Sequence, residues 1–290
     1  MQEKDRCTIK KRCKLSILFL TILLFSIPIL LIYDFLLVHQ SKEKNLFNAT
    51  TNFPRKNDIT NSAKDNQIKK SFPSVAAEEV YTYGRSEGKK YAFLTFDDGP
   101  NPIVTPQILE ILKTHDVKAT FFVLGCNANS YPEILKRIFD EGHAIANHTY
   151  SHDYKKIYPN NKVNTEAFQD EVNETKKTIV KILGSPSSSR VVRFPGGSFE
   201  NWKKSMKDKL ICEGMYFIDW NTENHDGLKH NVSTEEQLNT ISHNIDCAES
   251  RDENLVILMH DSVMKQSTVD ALPTIIELIK AKGYTFAIIH

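Results

Sequence analysis

The protein has 290 residues and a net charge of +1, and 40% of its residues are hydrophobic. This length fits one large domain or two small ones, and the apolar content is ordinary for a packed core. The near-neutral charge argues against a nucleic-acid partner. No CxxC pair occurs among the five cysteines, which excludes a thiol zinc knuckle and a thioredoxin-like redox motif. No motif indicates a protein partner.

The first 40 residues differ in composition from the rest of the chain. A basic cluster at residues 10–14 precedes 19 uncharged residues, LSILFLTILLFSIPILLIY, at residues 15–33. At about 1.5 Å per residue this run nearly spans a hydrocarbon core of about 30 Å, and residues 35–38 extend it. No small-residue cleavage pattern follows, so we expect an uncleaved transmembrane anchor over residues 15–38 rather than a cleaved signal. The basic tail, residues 1–14, would then be cytoplasmic, with everything after the anchor outside the cytoplasm.

Residues 39–88 are rich in Asn, Lys, Ser and Thr, and their few apolar residues show no period. This composition predicts a polar tether. From residue 89 to residue 290, β-rich runs alternate with amphipathic helical segments, which predicts parallel βα units. The expected fold is α/β, a closed or nearly closed (β/α) barrel of about seven strands. The seven runs are residues 91–96, 120–124, 143–146, 191–194, 216–219, 255–259 and 285–289.

In barrels of this kind the chemistry sits on loops after the strand C-termini. The first predicted strand ends in Asp97 and Asp98, which in isolation are most simply turn formers before a Gly-Pro pair. After the third strand, His148 and His152 are four residues apart, so a helical turn would put both imidazoles on one face. Two imidazoles and a carboxylate suit Zn²⁺. For this spacing alone, the alternative is a solvated histidine pair or a histidine packed in the core. Asp98 can supply the carboxylate, which leaves Asp97 free to act as a base.

Further polar residues follow the later strands. Arg193 is a permanent cation in RFPGGS, a segment that by itself is most simply a turn. His260 ends the sixth strand in LVILMHD, where a lone histidine is more often structural than catalytic. Asp226 lies in DWNTENHDG after the fifth strand. Each motif alone is a weak signal.

The five motifs occur in the order TFDDGP, HTYSH, RFPGG, DWNTENHD and LVILMHD. In that order they resemble the polysaccharide deacetylases of the NodB-homology type, carbohydrate esterase family 4. The segments VKATFFVLG, EGHAIANHTYSH and TVDALPTIIELIKAKGYTF are also similar to that family, so the resemblance covers residues 89–290. It implies a distorted βα barrel and a divalent metal, with zinc preferred over cobalt, nickel or manganese.

The resemblance also implies a role for each matching residue. Asp98, His148 and His152 would bind the metal, and Asp97 would be the general base, held ionised by Arg193. His260 would be the general acid, oriented by Asp226. Leu258 would line a pocket for the acetyl methyl group, and the Gly196 N–H would stabilise the oxyanion.

Two positions depart from the family's usual pattern. Gly196 stands where the family often has Tyr, and Gly227 stands where it often has Trp. Losing the side chain at Gly196 predicts a more open groove, so both departures bear on substrate choice more than on chemistry.

The implied reaction is hydrolysis of N-acetyl groups on a polysaccharide. The anchor would place the domain on the cell membrane facing the cell wall, so peptidoglycan N-acetylglucosamine is the expected substrate. N-acetylmuramic acid, chitin-like oligomers, poly-N-acetylglucosamine and O-acetyl esters stay open. Two other classes are a non-catalytic glycan-binding module and a structural anchor protein. The complete set of site residues argues against both.

Overall fold

A computed structural model of the protein describes residues 72–85, 88–184, 190–229 and 231–290. All of them belong to one folded unit, Lys69–His290. The predicted basic tail, the predicted anchor and most of the predicted tether lie outside the described residues. Within the described ranges, no helix is both long enough and apolar enough to cross a membrane.

The described chain alternates strands and helices, as its sequence pattern predicts. The strands are β1 (Ser74–Val75), β2 (Tyr91–Asp97), β3 (Thr120–Val123), β4 (Ala144–Asn147), β5 (Val191–Val192), β6 (Tyr216–Phe217), β7 (Thr222–Glu223), β8 (Leu255–His260), β9 (Thr285–Phe286) and β10 (Ile288–Ile289). The α-helices are α1 (Ala77–Val80), α2 (Val104–Thr114), α3 (Gly125–Ser130), α4 (Pro132–Asp140), α5 (Tyr154–Ile157), α6 (Thr165–Leu183), α7 (Lys204–Cys212), α8 (Thr234–Ser250) and α9 (Gln266–Ala281). Short 3₁₀ turns cover Pro159–Asn161 and Asn201–Lys203.

Seven strands form one parallel path in the order β6-β5-β4-β3-β2-β8-β7, and β9 pairs with β2 beside it. β6 and β7 are the two ends of this path, yet only residues 218–221 separate them in the chain. Because a chain spans at most about 3.6 Å per residue, the two ends lie within about 18 Å of each other. The sheet therefore curls into an open half-barrel, which confirms the predicted α/β barrel of about seven strands.

The register of the central strands determines where the site residues lie. β2 and β8 are largely apolar and buried along almost their whole length, as strands buried on both faces should be. They pair in parallel from Ala92 with Leu255 to Asp97 with His260. The last residues of the two strands are therefore neighbours, so Asp97 and His260 stand side by side at the carboxyl edge of the sheet.

Side-chain alternation divides the core into two layers. In β8, Leu255 and Ile257 pack in the cluster that includes α2, α8 and α9, whereas Val256 packs in the cluster inside the half-barrel. Because alternate residues of a strand face the same side, Leu258 and His260 face the interior with Val256. The interior side of β8 thus carries both predicted site residues of this strand.

The two longest helices, α6 and α8, are capped at their N-termini by side chains. α8 begins at Ser233, whose hydroxyl accepts a hydrogen bond from the Glu236 N–H at 3.2 Å. α6 is capped by Asn164 and ends at Gly184, which has a φ of 81°. The apolar faces of these helices cover the outside of the sheet.

The folded unit begins before the predicted domain boundary at residue 89. β1 pairs with β10 at the C-terminus, and the Ala77 N–H donates to the His290 carbonyl at 2.9 Å. Ala77 and Val80 are buried in the interior cluster. The predicted tether therefore extends too far, because a two-residue strand and a one-turn helix leave no periodic pattern in the sequence.

Candidate active site

The three predicted metal ligands lie together at the carboxyl edge of the sheet. Asp98 directly follows β2, and His148 and His152 follow β4. Asp98 Oδ1 is 3.5 Å from His148 Nε2 and 3.7 Å from His152 Nε2. One ligand atom from each residue lies within 4.8 Å of the other two. The structure thus assembles the set that the motifs predicted.

The donor atoms of this cluster fit a divalent cation. Asp98 Oδ1 is buried and has no hydrogen-bond partner in the described part of the chain. Burial lowers the pKa of His148 to about 3, so its imidazole is neutral at pH 7 and can offer a lone pair. One carboxylate oxygen with two imidazole nitrogens is a donor set that zinc accepts while leaving positions for water and substrate.

The two histidines come from a loop, so the predicted helical turn is wrong. Thr149 and His152 both have positive φ angles, 71° and 58°, which an α-helix does not allow. The His148 ring is fixed by its Nδ1, which lies 2.9 Å from the Arg193 carbonyl oxygen. This contact leaves Nε2 of His148 to face Asp98. The two imidazole ring centroids are 5.1 Å apart.

A buried glutamate supports the histidine loop. Glu171 on α6 is 2% exposed, and one of its carboxylate oxygens accepts from the backbone N–H groups of Tyr150 and Ser151 at 3.0 and 2.6 Å. Its other oxygen is 2.5 Å from Lys156 Nζ. Sequence reasoning missed Glu171 because, within the pattern of α6, it is indistinguishable from a solvent-facing residue.

Asp97 is paired with a fully buried arginine. Arg193 Nη1 donates to Asp97 Oδ1 at 2.8 Å, and the same nitrogen lies 2.7 Å from Thr95 Oγ1. Burial raises the pKa of Asp97, and the adjacent Arg193 charge opposes that rise. The second oxygen of Asp97 lies 3.7 Å from His148 Nε2, at the edge of the ligand cluster. The carboxylate is therefore placed to accept a proton from a molecule bound there.

His260 and Asp226 form the second charged pair of the site. His260 Nδ1 lies 2.6 Å from Asp226 Oδ1, and the His260 backbone N–H donates to the other carboxylate oxygen at 2.9 Å. Burial lowers the pKa of His260, but the hydrogen bond and charge of Asp226 outweigh it and raise that pKa to about 9. The imidazole is therefore protonated at neutral pH. Thr268 Oγ1 also donates to Asp226, at 2.7 Å.

The glycine at position 227 is explained by its contact with His260. A Cβ atom on Gly227 would stand 2.9 Å from His260 Cε1, closer than packed carbon atoms tolerate. The absence of a side chain lets the imidazole approach the backbone next to Asp226. With the His260 ring in this position, a side chain at residue 227 would clash with it.

The turn after β5, residues 195–198, presents the Gly196 N–H. Gly196 has a φ of 71°, a conformation that glycine adopts without strain. Within the described ranges, its N–H has no hydrogen-bond partner. Ser198 donates to Asp219 from both its N–H and its hydroxyl, at 2.9 and 2.6 Å, which fixes one end of the turn. The other predicted substrate-contacting residue, Leu258, is 6% exposed and faces the interior of the half-barrel.

A second buried carboxylate, which the motif analysis overlooked, supports the turn after β2. Asp261 accepts from Thr105 Oγ1 at 2.6 Å, and its N–H donates to the Asp97 carbonyl at 3.1 Å. A Cβ atom on Gly99 would stand 2.1 Å from Asp261 Oδ2, so only glycine fits there. The signal in the sequence was the HD pair at the end of β8, of which only the histidine was considered.

The arrangement is typical of a hydrolase and includes three residues that could hold a divalent cation. A buried carboxylate lies on one side of this cluster, and a protonated histidine lies at the end of the neighbouring strand. The family model "Polysaccharide deacetylase" matches residues 84–211. A peptidoglycan-N-acetylglucosamine deacetylase of Bacillus cereus is 33% identical over 202 residues, covering 70% of each chain. The peptidoglycan-N-acetylmuramic acid deacetylase PdaA of Bacillus subtilis is 30% identical over 203 residues, covering 68% of this chain and 69% of its own.

The solved structures agree with the sequence comparisons. A carbohydrate esterase family 4 enzyme from Streptococcus mutans superposes with a TM-score of 0.69 at 34% identity, covering 75% of this chain and 92% of its own. The chain therefore belongs to the polysaccharide deacetylase family, carbohydrate esterase family 4, and is a hydrolase that removes acetyl groups.

Proposed function

We propose that this protein is a metal-dependent deacetylase that hydrolyses the N-acetyl groups of N-acetylglucosamine in peptidoglycan. The observation that carries the proposal is the position of Asp97. Its carboxylate is paired with the buried Arg193 on one side and borders the cation cluster on the other. The neighbouring strand end carries a protonated His260. A base, a cation site and an acid thus surround one space, as hydrolysis of an amide requires.

The cation would be held by Asp98, His148 and His152. When bound, a divalent metal lowers the pKa of water and polarises the acetyl carbonyl. Asp97 takes the proton of the attacking water, and the charge of Arg193 favours the ionised carboxylate that this step requires. The Gly196 N–H donates to the oxyanion that forms on the acetyl carbon.

His260 completes the reaction by protonating the leaving nitrogen. An amine cannot leave an amide as an anion at neutral pH, so it requires a proton at the moment the bond breaks. Asp226 keeps the imidazolium protonated and fixes its direction. Leu258 lies two residues earlier on the same face, where it can line the space that receives the acetyl methyl group.

The choice of peptidoglycan N-acetylglucosamine rests on two supports. The Bacillus cereus relative named above acts on that sugar, and the predicted anchor at residues 15–38 would hold the domain on the outer side of the cell membrane, beside the cell wall. N-acetylmuramic acid is the second candidate, because the related PdaA acts on it. Chitin-like oligomers, poly-N-acetylglucosamine and O-acetyl esters follow these two.

A non-catalytic glycan-binding module is the alternative of a different class. In such a protein the base and the ligands have no reason to stay in a reactive arrangement. Here His148 Nε2 lies 3.7 Å from Asp97 Oδ2 and 3.5 Å from Asp98 Oδ1. A structural anchor protein would need no such site at all.

Muropeptide mass spectrometry tests the substrate. In cells that lack the protein, a larger share of the peptidoglycan glucosamine residues should keep the N-acetyl group than in cells that carry it. A strain producing the Asp97→Asn variant is the matched control and should resemble the deletion. A change confined to muramic acid would select the second candidate, and an unchanged cell wall would reject peptidoglycan as the substrate.

A further inference from the structure

A buried lysine that the reaction described above does not use supports the turn after β5. Lys203 ends the 3₁₀ turn Asn201–Lys203, and only 1% of its surface is exposed. Its ammonium lies 2.5 Å from the Gly197 carbonyl oxygen, 3.4 Å from that of Pro195 and 2.9 Å from a Glu200 carboxylate oxygen. A buried ammonium is costly unless acceptors surround it, so these contacts indicate a position that is built around the charge.

Two aromatic rings fix the place of the same ammonium. Lys203 Nζ lies 4.7 Å from the centre of the Tyr158 ring and 4.8 Å from that of Trp202. The faces of aromatic rings attract cations, and the attraction grows when water is excluded. The carbonyl groups of the turn therefore meet a positive charge whose position the surrounding side chains determine.

Residues 194–197 form a type II β-turn. The Gly197 N–H donates to the Phe194 carbonyl at 2.8 Å, and Gly196 has a φ of 71°. Type I and type II turns differ by a flip of their central peptide group, which here joins Pro195 to Gly196. Glycine tolerates the backbone angles of both types, so the sequence alone does not lock this peptide in one orientation. A contact to its carbonyl oxygen does.

Lys203 contacts the carbonyl oxygens of two peptide groups whose N–H groups are used differently. A trans peptide directs its C=O and its N–H to opposite sides, so both N–H groups point away from the ammonium. In the peptide after Gly197, the N–H belongs to Ser198 and donates to Asp219 Oδ1 at 2.9 Å. In the central peptide of the turn, the Gly196 N–H has no partner among the described residues. The ammonium therefore orients one N–H that is already bonded and one that is open to a ligand.

The backbone just before the turn ties it to the cation cluster and to the base. The Arg193 side chain donates to Asp97 at 2.8 Å, and the Arg193 carbonyl oxygen lies 2.9 Å from His148 Nδ1. Gly196 is three residues further along the chain, which spans at most about 11 Å. The open N–H thus lies at the border of the site, where the proposed function uses it.

We propose that Lys203 is a positioning residue that holds the central peptide of the turn with the Gly196 N–H directed at the oxyanion. This inference rests on the proposed function, because it takes that N–H to be the oxyanion donor. An ammonium at the carbonyl oxygen also polarises the peptide, which makes its N–H a stronger donor. A donor that is oriented in advance needs no reorganisation when the negative charge develops. Without the ammonium, the central peptide is free to flip and turn its N–H away.

Rates on two substrates test this role. The full-length protein, loaded with zinc, is assayed on the N-acetylglucosamine pentamer and on 4-nitrophenyl acetate, because both reactions place negative charge on the acetyl oxygen. Lys203→Met keeps a long side chain without the charge. It should lower kcat on both substrates by a similar factor, roughly tenfold to a hundredfold, with little change in zinc content or in KM for the pentamer. Lys204→Met is the matched control, because Lys204 is an exposed lysine that pairs with Asp208, and it should keep wild-type rates.

The pattern of losses distinguishes this role from others. A loss confined to the pentamer would mean that Lys203 acts on the sugar, and an unchanged kcat on both substrates would mean that the donor needs no support. Either result overturns the proposal. Lys203→Gln replaces Lys203→Met if the latter does not fold, because its amide can still donate to a carbonyl, and it should show the same joint loss. A wild type that cleaves the ester but not the pentamer would refute the sugar assignment, while the ester rates would still decide the role of Lys203.

The central peptide of the turn can also be observed directly. Pro195 and Gly196 are the only Pro-Gly pair in the sequence, so protein labelled with ¹³C-carbonyl proline and ¹⁵N-glycine gives one correlated NMR signal, from this peptide. In full-length Lys203→Met, the carbonyl carbon should move to lower frequency and the Gly196 amide should shift with it, because the charged donor is lost. Lys204→Met should reproduce the wild-type signal. Identical signals in wild type and Lys203→Met would overturn the proposal, even if the rates differ.

Discussion

His260 lies at the end of β8 with its Nδ1 2.6 Å from Asp226 Oδ1, and the same aspartate also accepts the His260 backbone N–H. This pair holds a proton on the histidine at the strand end next to Asp97. The geometry gives the two carboxylates opposite uses. Asp97 receives the proton of water, and Asp226 keeps a proton on His260 available for the leaving group.

Replacing His260 should therefore damage amide hydrolysis much more than ester hydrolysis. His260→Ala is expected to lower kcat on an N-acetylglucosamine oligomer by on the order of 10² to 10⁴, the usual contribution of a general acid. An aryl acetate has a leaving group that is stable as an anion, so its hydrolysis should keep most of its rate. Both substrates are measured on the same zinc-loaded preparation, with metal content determined alongside. Equal losses on the two substrates would mean that His260 does not protonate the leaving group.

Asp226→Asn should move the alkaline limb of the pH–rate profile to lower pH. The raised pKa of about 9 keeps His260 protonated at neutral pH, and the rate should fall as pH rises through that value. Without the carboxylate, burial dominates and the pKa of His260 drops, so the acid form is lost earlier in the titration. The measurement is kcat on the oligomer from pH 6 upward. An alkaline limb that stays in place in Asp226→Asn would contradict the assignment.

The cation cluster predicts a linked loss of metal and activity. His152→Ala removes one of three ligands, so zinc content by atomic absorption and acetate release should both fall. His115→Ala is the matched control, because His115 pairs with Glu277 at a distance from the cluster and should keep both. Full zinc occupancy in His152→Ala would disprove the ligand set of Asp98, His148 and His152.

The N-terminal limit of the folded unit predicts the outcome of truncation. A chain that starts at Lys69 retains β1 and α1, whereas one that starts at Lys89 loses both. Burial of Val80 alone is worth about 1.5–3 kcal/mol, so the shorter chain should have a Tm lower by roughly 3–12 °C. Thermal unfolding followed by circular dichroism compares the two. Equal Tm values would show that β1 and α1 do not contribute to the fold, and that the sequence boundary at residue 89 was correct.

Features with a strong periodic or ordered signal could be predicted from the sequence. Long, largely apolar strands such as β2 and β8 stand out because they are buried on both faces, and site residues were expected at or after their ends, where Asp97 and His260 lie. That these two strands are neighbours, and so bring Asp97 beside His260, is seen only in the structure. The metal cluster was predicted from the order of five motifs, each of which follows a strand.

Features that depend on three-dimensional contact could not be predicted in this way. The i, i+4 spacing of His148 and His152 suggested a helix, but the loop has positive φ angles at Thr149 and His152, and the Tyr150 and Ser151 N–H groups donate to Glu171 on α6. Gly196 suggested an open wall, yet Tyr154, at the start of α5 and 42 positions earlier in the chain, fills the space. Such substitutions of one side chain by another across the fold have no local signature in sequence.

Acetate release from an N-acetylglucosamine pentamer by the zinc-loaded full-length protein and by Asp97→Asn tests the central claim most directly. Asp97→Asn keeps the shape of the side chain and the ligand cluster but cannot accept the proton of water, so wild type should release acetate and the variant should be at least about 10²-fold slower with its zinc retained. Mass spectrometry of the product should show acetyl groups lost from nitrogen. A variant that is as active as wild type, or a zinc-loaded wild type that releases no acetate from any N-acetylated glycan, would contradict the account.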